Sequence, residues 1–457
     1  MFLEMIRSEG LAHLSYIFCD AGKAAVVDPR LDCEIYPDIA IKNEARITHI
    51  FETHRNEDYV TGSRELAAVT GAVIYHGDKL PFAYGTGVKE NDSFNLGKIN
   101  LRVIETPGHT YESISLVLTD TESSEKPLAV FTGDALFTGS TGRTDFFPDK
   151  KGEAAGLLYD SIFGKVLPLG DGVILYPAHG SGSVCGRGIA SRDFSTIGFE
   201  KYYNPALQIK TKQGFIDYKT REKHYMPPYF KEMEKLNLEK RQLRDKIPHP
   251  YPLESDSFAQ LKNDGAIILD IRSPEAFAGA YIPGSLAIPL DMISSFAGWF
   301  INYSKHVGLI VESREEMEKA VRRLFRMGYD KIPAYLASGL SEWETSGRKY
   351  DRIPAVHAGE IVRRITEKEQ FILLDVRELS EYEESHLPGA QHLFLGELPG
   401  RLNEVARNKP VTAFCGTGLR AIIAASILKM HGFKEVDCCL GSMSACAAIG
   451  CPVKKGR

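Results

Sequence analysis

The chain has 457 residues, a formal net charge of −5 and eight cysteines. This length is too great for one compact domain and indicates two to four, each with its own core. A weakly acidic chain without a long block of one charge gives no reason to expect a nucleic acid or a membrane as its main partner. The N-terminus lacks a signal-peptide pattern, and no stretch offers about 18 uninterrupted apolar residues. We expect a cytoplasmic protein that acts on small molecules and keeps its thiols reduced.

Short apolar runs alternate with polar turns and helical pieces over residues 1–180, which predicts a mixed α/β fold. Four of the expected strands end beside a side chain that can bind a metal. These side chains are His54, His109, Asp134 and His179. Because strand ends of a layered sheet can meet at one rim, we expect these side chains to approach each other.

The loop after the first of these runs reads Thr-His-Arg-Asn-Glu-Asp-Tyr at residues 53–59. It matches the metal-binding pattern His-x-His-x-Asp-His in part. His54 and Asp58 are present, but Asn56 and Tyr59 stand where the pattern has imidazoles. Which metal chemistry this altered loop supports is the main question about function.

Three further motifs follow in order: Thr-Pro-Gly-His-Thr-Tyr-Glu-Ser at 106–113, Thr-Gly-Asp-Ala-Leu-Phe at 132–137 and Gly-Arg-Thr-Asp-Phe at 142–146. With the loop, they resemble the metallo-β-lactamase superfamily, whose fold is an αββα sandwich with a metal site along one edge. Within that superfamily they look most like the persulfide dioxygenases, also called sulfur dioxygenases. The resemblance covers roughly the first half of the chain.

The resemblance implies one Fe(II) per chain, held by His54, His109 and Asp134. Two imidazoles and one carboxylate form a facial triad that leaves positions open for O2 and a sulfur ligand. The dinuclear hydrolases of the superfamily, including the glyoxalase II thioesterases, use two metals. Asn56 and Tyr59 remove one ligand from each of those two positions, so the resemblance favours one iron over two zinc ions. A zinc site, or no metal, stays open as the alternative.

Other polar residues of this region are expected to surround the metal. Asn56, Asp58, Tyr59 and His179 could orient water and the ligands or act as additional ligands, and Tyr59 could also cap an open coordination position.

Two residues are candidates for substrate binding. Arg143 resembles a family position near the thiol-bearing substrate, where a guanidinium can bind a carboxylate or phosphate, and an ion pair with Asp145 is an equal alternative. Cys185 lies in a glycine-rich turn after His179 and could face the same cavity as a substrate-side thiol.

Prolines at positions 248, 250 and 252 predict an extended linker and a boundary near residue 250. Beyond it, an apolar run with Asp-x-Arg at 267–272 and a Pro-Gly turn at 283–284 recur at 372–377 and 388–389. The two copies resemble rhodanese domains, which are α/β units with a parallel sheet. The predicted domains are therefore a metallo-β-lactamase-like domain at 1–247, an inactive rhodanese-like domain at 248–352 and an active one at 353–457.

The second copy carries the loop Cys-Gly-Thr-Gly-Leu-Arg at 415–420, between an apolar strand and a helix. Inward N–H groups and the helix N-terminus stabilise an anion at Cys415, and Arg420 adds positive charge. Cys-x4-Arg makes a smaller cradle than the Cys-x5-Arg loop of protein phosphatases, which favours sulfur transfer over phosphate chemistry or an inert cysteine. The first copy has Val311 opposite Cys415, and an alkyl group cannot carry sulfur. That copy is expected to serve as a structural or docking domain.

Four cysteines crowd the end of the chain without Cys-x-x-Cys spacing. Small buried apolar side chains are the favoured interpretation, and a resolving role for one of them stays open. They are Cys438, Cys439, Cys446 and Cys451.

The order of the three domains resembles bacterial persulfide dioxygenase–rhodanese fusions of sulfide detoxification. That resemblance implies a low-molecular-weight thiol persulfide and O2 as substrates, with sulfite as a product and sulfite or thiosulfate in sulfur transfer through Cys415. Two other classes stay open: a glyoxalase II-like zinc thioester hydrolase, and a metal-poor pseudoenzyme that acts as a sulfurtransferase or scaffold. The oligomeric state, including a homo-oligomer, also stays open.

Overall fold

The computed structural model describes residues 1–186, 188–244 and 246–455. The chain divides into two compact units. The first contains Met1–Ile247 with Phe325–Gly328, and the second contains Pro248–Leu324 with Tyr329–Arg457. None of the described helices combines the length and apolar composition that crossing a bilayer requires.

The first sheet of the N-terminal unit has six strands in sequence order. The first three pair antiparallel, and the last three add in parallel. Helices connect the first two of these parallel pairs, whereas residues 78–85 connect the last pair without a helix. The strands are β1 (Phe2–Ser8), β2 (His13–Asp20), β3 (Lys23–Val27), β4 (Arg46–Phe51), β5 (Val73–Gly77) and β6 (Thr86–Val88). The connecting helices are α1 (Ile35–Lys42) and α2 (Ser63–Thr70).

The second sheet has the order β14-β13-β10-β9-β8-β7, and β11 and β12 form a separate hairpin. Its strands are β7 (Ser93–Leu96), β8 (Ile99–Glu105), β9 (Ile114–Asp120), β10 (Ala129–Gly133), β13 (Ile174–Pro177) and β14 (Ser195–Thr196). The hairpin strands are β11 (Leu136–Phe137) and β12 (Ser140–Thr141). The helices are α3 (Lys151–Ser161), α4 (Ile197–Tyr203), α5 (Lys212–Arg221) and α6 (Phe230–Leu238).

The two sheets pack face to face around one apolar core, which joins side chains such as Phe18 and Phe51 of the first sheet to Leu116 and Phe131 of the second. A second cluster packs α1 and α2 on the outer face of the first sheet, and a third packs α3 on the outer face of the second. The unit is therefore a four-layer αββα sandwich, and the predicted fold class is confirmed.

The second unit holds two parallel five-stranded sheets with equivalent strand orders, β15-β19-β18-β16-β17 and β20-β24-β23-β21-β22. The first copy contains β15 (Tyr251–Leu253), α7 (Ser255–Asn263), β16 (Ile267–Asp270), α8 (Pro274–Gly279), β17 (Leu286–Ala287), α9 (Ile293–Phe300), β18 (Val307–Ile310), α10 (Arg314–Arg326), β19 (Ala334–Leu336) and α11 (Gly339–Thr345). The second contains β20 (Ala355–Val356), α12 (Ala358–Thr366), β21 (Ile372–Asp375), α13 (Leu379–Glu384), β22 (Gln391–His392), β23 (Val411–Phe414), α14 (Leu419–Met430), β24 (Val436–Cys439) and α15 (Ser442–Ile449).

The proline-rich segment after residue 247 is extended, as predicted, but it is more than a linker. Tyr251–Leu253 pairs in parallel with β19 as the edge strand β15. An edge strand tolerates Pro252 because only one side of its backbone needs hydrogen-bond partners.

Candidate functional site

Three candidate ligands converge where strands of the two sheets end. His54 follows β4, His109 follows β8 and Asp134 follows β10 directly. The Nε2 atoms of His54 and His109 lie 3.6 and 3.4 Å from the Asp134 Oδ2 atom. Two ligand atoms that each lie about 2.1 Å from a metal are separated by roughly 3.0–3.4 Å, so this spacing fits an ion. All three side chains are buried, and none of the three atoms has a hydrogen-bond partner in the described chain.

Hydrogen bonds on the far side of each imidazole fix its tautomer. The Thr53 hydroxyl donates to the Asp28 carboxylate at 2.7 Å, so it accepts a bond from His54 Nδ1 at 2.9 Å. His109 Nδ1 donates to the Arg143 carbonyl at 3.0 Å. Both rings therefore carry their proton on Nδ1 and leave Nε2 with a lone pair for a metal.

The charge states match this geometry. Burial lowers the pKa of His54 to about 3 and that of His109 to about 4, so both imidazoles are neutral near pH 7. Burial alone would raise the pKa of Asp134, but the neighbouring His179, His54 and His109 outweigh it and hold that pKa well below its usual value. Neutral imidazoles and an ionised carboxylate are the forms that bind metals.

A second group of potential ligands lies beside the first. One ligand atom each of Asp58, His179 and Cys185 lies within 4.8 Å of the others. The same limit holds for a group made of His109, Asp134 and Cys185. However, His179 Nδ1 lies 2.7 Å from Asp134 Oδ1, and its Nε2 lies 3.1 Å from Asp58 Oδ2. Both nitrogens face carboxylates, and both carboxylates raise the pKa of His179 well above its usual value despite burial. The Nε2 atom nevertheless has no hydrogen-bond partner among the described residues.

The two residues that replace imidazoles in the loop contact the loop backbone and a neighbouring histidine. The Asn56 amide donates to the His54 carbonyl at 3.3 Å. The Tyr59 ring packs on His13 with a centroid distance of 4.0 Å, and burial raises the pKa of Tyr59 well above its usual value. Its hydroxyl has no hydrogen-bond partner among the described residues.

The sequence motifs did not identify a buried acidic network behind the loop. The Arg55 guanidinium donates to Glu57, and the Arg55 N–H donates to the Glu112 carboxylate at 2.7 Å. A Glu57 oxygen lies 3.9 Å from His109 Nε2, and burial raises the pKa of Glu57 to about 8. The position of Glu57 inside the 53–59 loop could have identified it from the sequence. Glu112 could not be identified in this way, because it contacts Arg55 across 57 positions of the sequence.

Arg143 makes the ion pair with Asp145 that was the second of its two predicted roles, and its role towards a substrate stays a prediction. Its guanidinium makes a two-point ion pair with Asp145 at 2.6 and 2.9 Å and also donates to the Tyr225 carbonyl at 3.2 Å. The side chain is 1% exposed. These contacts fix the segment whose carbonyl accepts the His109 hydrogen bond.

Two glycines permit the close packing of this centre. A Cβ atom on Gly133, which has a φ of +54°, would lie 2.6 Å from the Thr53 hydroxyl. A Cβ atom on Gly142 would lie 2.0 Å from the Asp134 carbonyl oxygen and 3.0 Å from His109 Nδ1. A side chain at either position would displace a residue that holds the ligand set.

The Cys415 loop in the second unit forms a compact cradle between β23 and α14. The Gly418 N–H donates to the Cys415 sulfur at 3.1 Å. The first turn of α15 supports the loop, because Cys415 N–H donates to the Ser442 hydroxyl and Met443 N–H donates to the Cys415 carbonyl, both at 3.1 Å. The Cys415 side chain is buried.

The structure places Arg420 beside an acidic residue and Val311 at the position equivalent to Cys415. Arg420 forms a two-point ion pair with Glu381 at 2.6 and 2.7 Å, so its charge is partly neutralised. Val311 follows β18 as Cys415 follows β23, and the registers Asp270↔Ile310 and Asp375↔Phe414 are equivalent. The first copy thus has an alkyl side chain at the sulfur position.

Comparisons with known proteins agree with this architecture. Residues 9–179 match the metallo-beta-lactamase superfamily profile, and residues 254–346 and 358–448 match the rhodanese-like domain profile. A metallo-beta-lactamase structure from Staphylococcus aureus subsp. aureus COL is similar with 31% identity and a TM-score of 0.67, over 74% of this chain and 98% of that one.

Two curated proteins are similar over parts of the chain. YrkF of Bacillus subtilis (strain 168), a proposed sulfur carrier protein, is 37% identical over 93 residues, which are 20% of this chain. A hydroxyacylglutathione hydrolase of Francisella tularensis subsp. novicida (strain U112) is 30% identical over 176 residues, which are 38% of this chain. This chain spans 50% and 64% of the lengths of those two proteins. From the fold, the profile matches and the Staphylococcus aureus relative, the chain belongs to the metallo-beta-lactamase superfamily and also carries two rhodanese-like domains.

Proposed function

We propose that residues 1–247 act as an iron-dependent persulfide dioxygenase and that Cys415 transfers sulfane sulfur, so that the chain serves in sulfide detoxification. One observation carries the first part of this proposal. Three buried atoms converge and have no hydrogen-bond partner in the described chain: His54 Nε2, His109 Nε2 and Asp134 Oδ2. Neighbouring groups hold each of their side chains in place. Unsatisfied buried polar atoms are costly, so their convergence favours a bound ion.

The donor types favour ferrous iron as that ion. Two imidazole nitrogens and one carboxylate oxygen form the set that is typical of non-haem iron(II) oxygenases. When bound, iron in this set supplies open positions for O2 and for the terminal sulfur of a persulfide. The overall reaction consumes the persulfide, O2 and one water, and yields the thiol, sulfite and two protons.

The neighbouring residues support one metal rather than two. Both nitrogens of His179 face carboxylates, Asn56 bonds to the loop backbone, and the Tyr59 ring packs on His13. A hydrolytic dizinc site would need further lone-pair ligands, and Asn56 and Tyr59 replace two of the imidazoles that the dinuclear pattern has.

The chain's own residues have defined tasks in this proposal. Thr53 and the Arg143 carbonyl hold the two imidazoles in the ligating tautomer. His179 orients the Asp134 carboxylate through its other oxygen. The Cys185 thiol lies beside the ligand set, and burial raises its pKa well above the usual value, so it presents a neutral thiol to the substrate side.

The test is O2 consumption with glutathione persulfide after anaerobic loading with Fe(II). We expect His109→Ala to lose iron binding and O2 consumption together. The matched control is His49→Ala, because His49 is a half-buried histidine of the same unit that bonds to Thr48 rather than to the site. O2 consumption at the wild-type rate in His109→Ala would overturn the assignment.

The second part of the proposal rests on the Cys415 cradle. The thiolate of Cys415 attacks the outer sulfur of thiosulfate, the S–S bond breaks, and sulfite leaves while Cys415 becomes a persulfide. The bond from Gly418 N–H to the sulfur and the α14 N-terminus stabilise the anion in both states. Cys415→Ser should abolish sulfite release from thiosulfate, whereas Cys33→Ser should not.

A zinc thioester hydrolase is the second candidate, because the Asp58, His179 and Cys185 group exists and because a hydroxyacylglutathione hydrolase is among the similar proteins. Two zinc ions per chain together with hydrolysis of a glutathione thioester would support it. One metal per chain without thioester turnover would reject it.

A further inference from the structure

Two cysteines meet where the last described helix ends. Cys446 lies in α15, and Cys451 follows Gly450, which has a φ of +69°. The Cys451 N–H donates to the Cys446 carbonyl at 2.9 Å, and the Gly450 N–H donates to the Ala447 carbonyl at 3.4 Å. These two bonds form the Schellman pattern, and the Cys451 side chain packs against the apolar cluster that contains Cys446.

The hydrogen bond limits the separation of the two cysteines. With standard bond lengths, a 2.9 Å N···O distance keeps the Cα atoms of Cys446 and Cys451 within about 6.8 Å of each other. Disulfides span Cα distances of roughly 4.4–6.8 Å, so the backbone already has a geometry that a disulfide can use.

The two thiols differ in accessibility. Cys446 is 1% exposed, whereas Cys451 is partly exposed at the edge of the apolar cluster that contains Cys446 and Cys439. Burial raises the pKa of Cys446, and its hydrogen bond with the Cys451 thiol raises it further. Cys451 is therefore the thiol that an external reagent reaches first, and Cys446 is the adjacent partner.

We propose that Cys446 and Cys451 form a reversible dithiol–disulfide site whose oxidant is the S–S bond of a small disulfide or persulfide. The Cys451 thiolate attacks the external S–S bond and forms a mixed S–S bond, and Cys446 then displaces the remaining fragment. With a disulfide RSSR, the two cysteine protons leave with two molecules of RSH. With a persulfide RSSH, the products are one RSH and one molecule of hydrogen sulfide.

This site is distinct from the Cys415 cradle, although both depend on α15. The first turn of α15 supports Cys415 through Ser442 and Met443, whereas Cys446 and Cys451 lie at the opposite end of the helix. The inference does not depend on the proposed dioxygenase or on sulfur transfer by Cys415.

The test uses the full-length chain in a Cys415→Ser background, so that only the other thiols react. The reduced protein is treated with glutathione disulfide or with glutathione persulfide, its remaining thiols are alkylated, and the tryptic peptide 435–454 is sequenced by mass spectrometry. With a link between Cys446 and Cys451, the peptide should be two mass units lighter than with both cysteines as free thiols, and it should give no fragment ions from cleavage between residues 446 and 451. Dithiothreitol should reverse both changes. The disulfide should release two thiols per link, and the persulfide should release one thiol and one sulfide.

Two variants make the result specific. Cys451→Ser should prevent the link, whereas Cys33→Ser, which removes another partly exposed cysteine, should leave it intact. The proposal is overturned if the peptide gains no internal link, if the link joins other cysteines, or if Cys451→Ser still forms it.

Discussion

Thr53 offers the most specific test of the proposed metal centre, because it contacts the proposed ligand His54 without being a ligand itself. Its hydroxyl donates to Asp28 at 2.7 Å and accepts from His54 Nδ1 at 2.9 Å. Thr53→Val keeps the shape of the side chain and removes both bonds. His54 can then rotate or place its proton on Nε2, which is the atom that should bind the metal.

The expected loss is moderate. Removing a hydrogen-bond partner of a metal-ligating histidine weakens metal binding by about 10 to 100-fold, which corresponds to roughly 1.4–2.7 kcal/mol. The Asp28 carboxylate keeps the Thr53 backbone N–H at 2.7 Å, so the fold should survive. Thr53→Ser, which restores the hydroxyl, should recover most of the affinity.

The assay is anaerobic Fe(II) titration with a competing chelator, alongside circular dichroism to confirm folding. The matched control is Thr141→Val, because Thr141 is buried in the same unit and its hydroxyl has no partner in the described chain. If folded Thr53→Val bound Fe(II) within about twofold of wild type, the tautomer argument would be refuted.

The remaining predictions concern pH and the two rhodanese-like copies. In the metal-free protein the pKa of His109 falls from 6.5 to about 4 on folding, so the unfolded chain binds more protons between these values. The free energy of unfolding should therefore drop as pH falls through this window, by up to about 1.4 kcal/mol per pH unit. The urea midpoint should change less steeply with pH in His109→Gln than in the wild type, and equal slopes would contradict this. Glu381→Gln should free Arg420 and lower the KM for thiosulfate by up to about fivefold with kcat unchanged. An unchanged or higher KM in sulfite-release assays would contradict the idea that the ion pair with Glu381 limits the charge that Arg420 offers to thiosulfate. Val311→Cys should not restore sulfur transfer to Cys415→Ser, because the loop of the first copy is one residue shorter: α10 begins three residues after position 311, whereas α14 begins four residues after Cys415. Sulfite release by that double variant would disprove the argument.

The layered fold and the convergence of strand ends could be predicted because both follow from local patterns. Short apolar runs mark the strands, and a metal-binding side chain that follows a strand identifies a rim. His109 and Asp134 illustrate this, since each follows a strand of the same sheet. Their assignment as iron ligands stays a prediction.

Contacts between distant residues could not be predicted from the sequence. Asp28 supports Thr53 from 25 positions away, and Glu381 pairs with Arg420 across 39 positions. The periodicity of apolar residues in the sequence does not indicate which of several acidic side chains a cationic side chain will pair with. The contact between Cys446 and Cys451 is local, but it depends on the left-handed backbone at Gly450, which spacing alone does not show.

Iron-edge anomalous scattering from crystals loaded with Fe(II) under anaerobic conditions tests the central claim most directly. The account predicts one peak per chain, about 2.0–2.2 Å from His54 Nε2, His109 Nε2 and Asp134 Oδ2. Absence of a peak would favour a metal-poor sulfurtransferase or scaffold. Two peaks, or one peak bound by Asp58, His179 and Cys185, would also contradict the account.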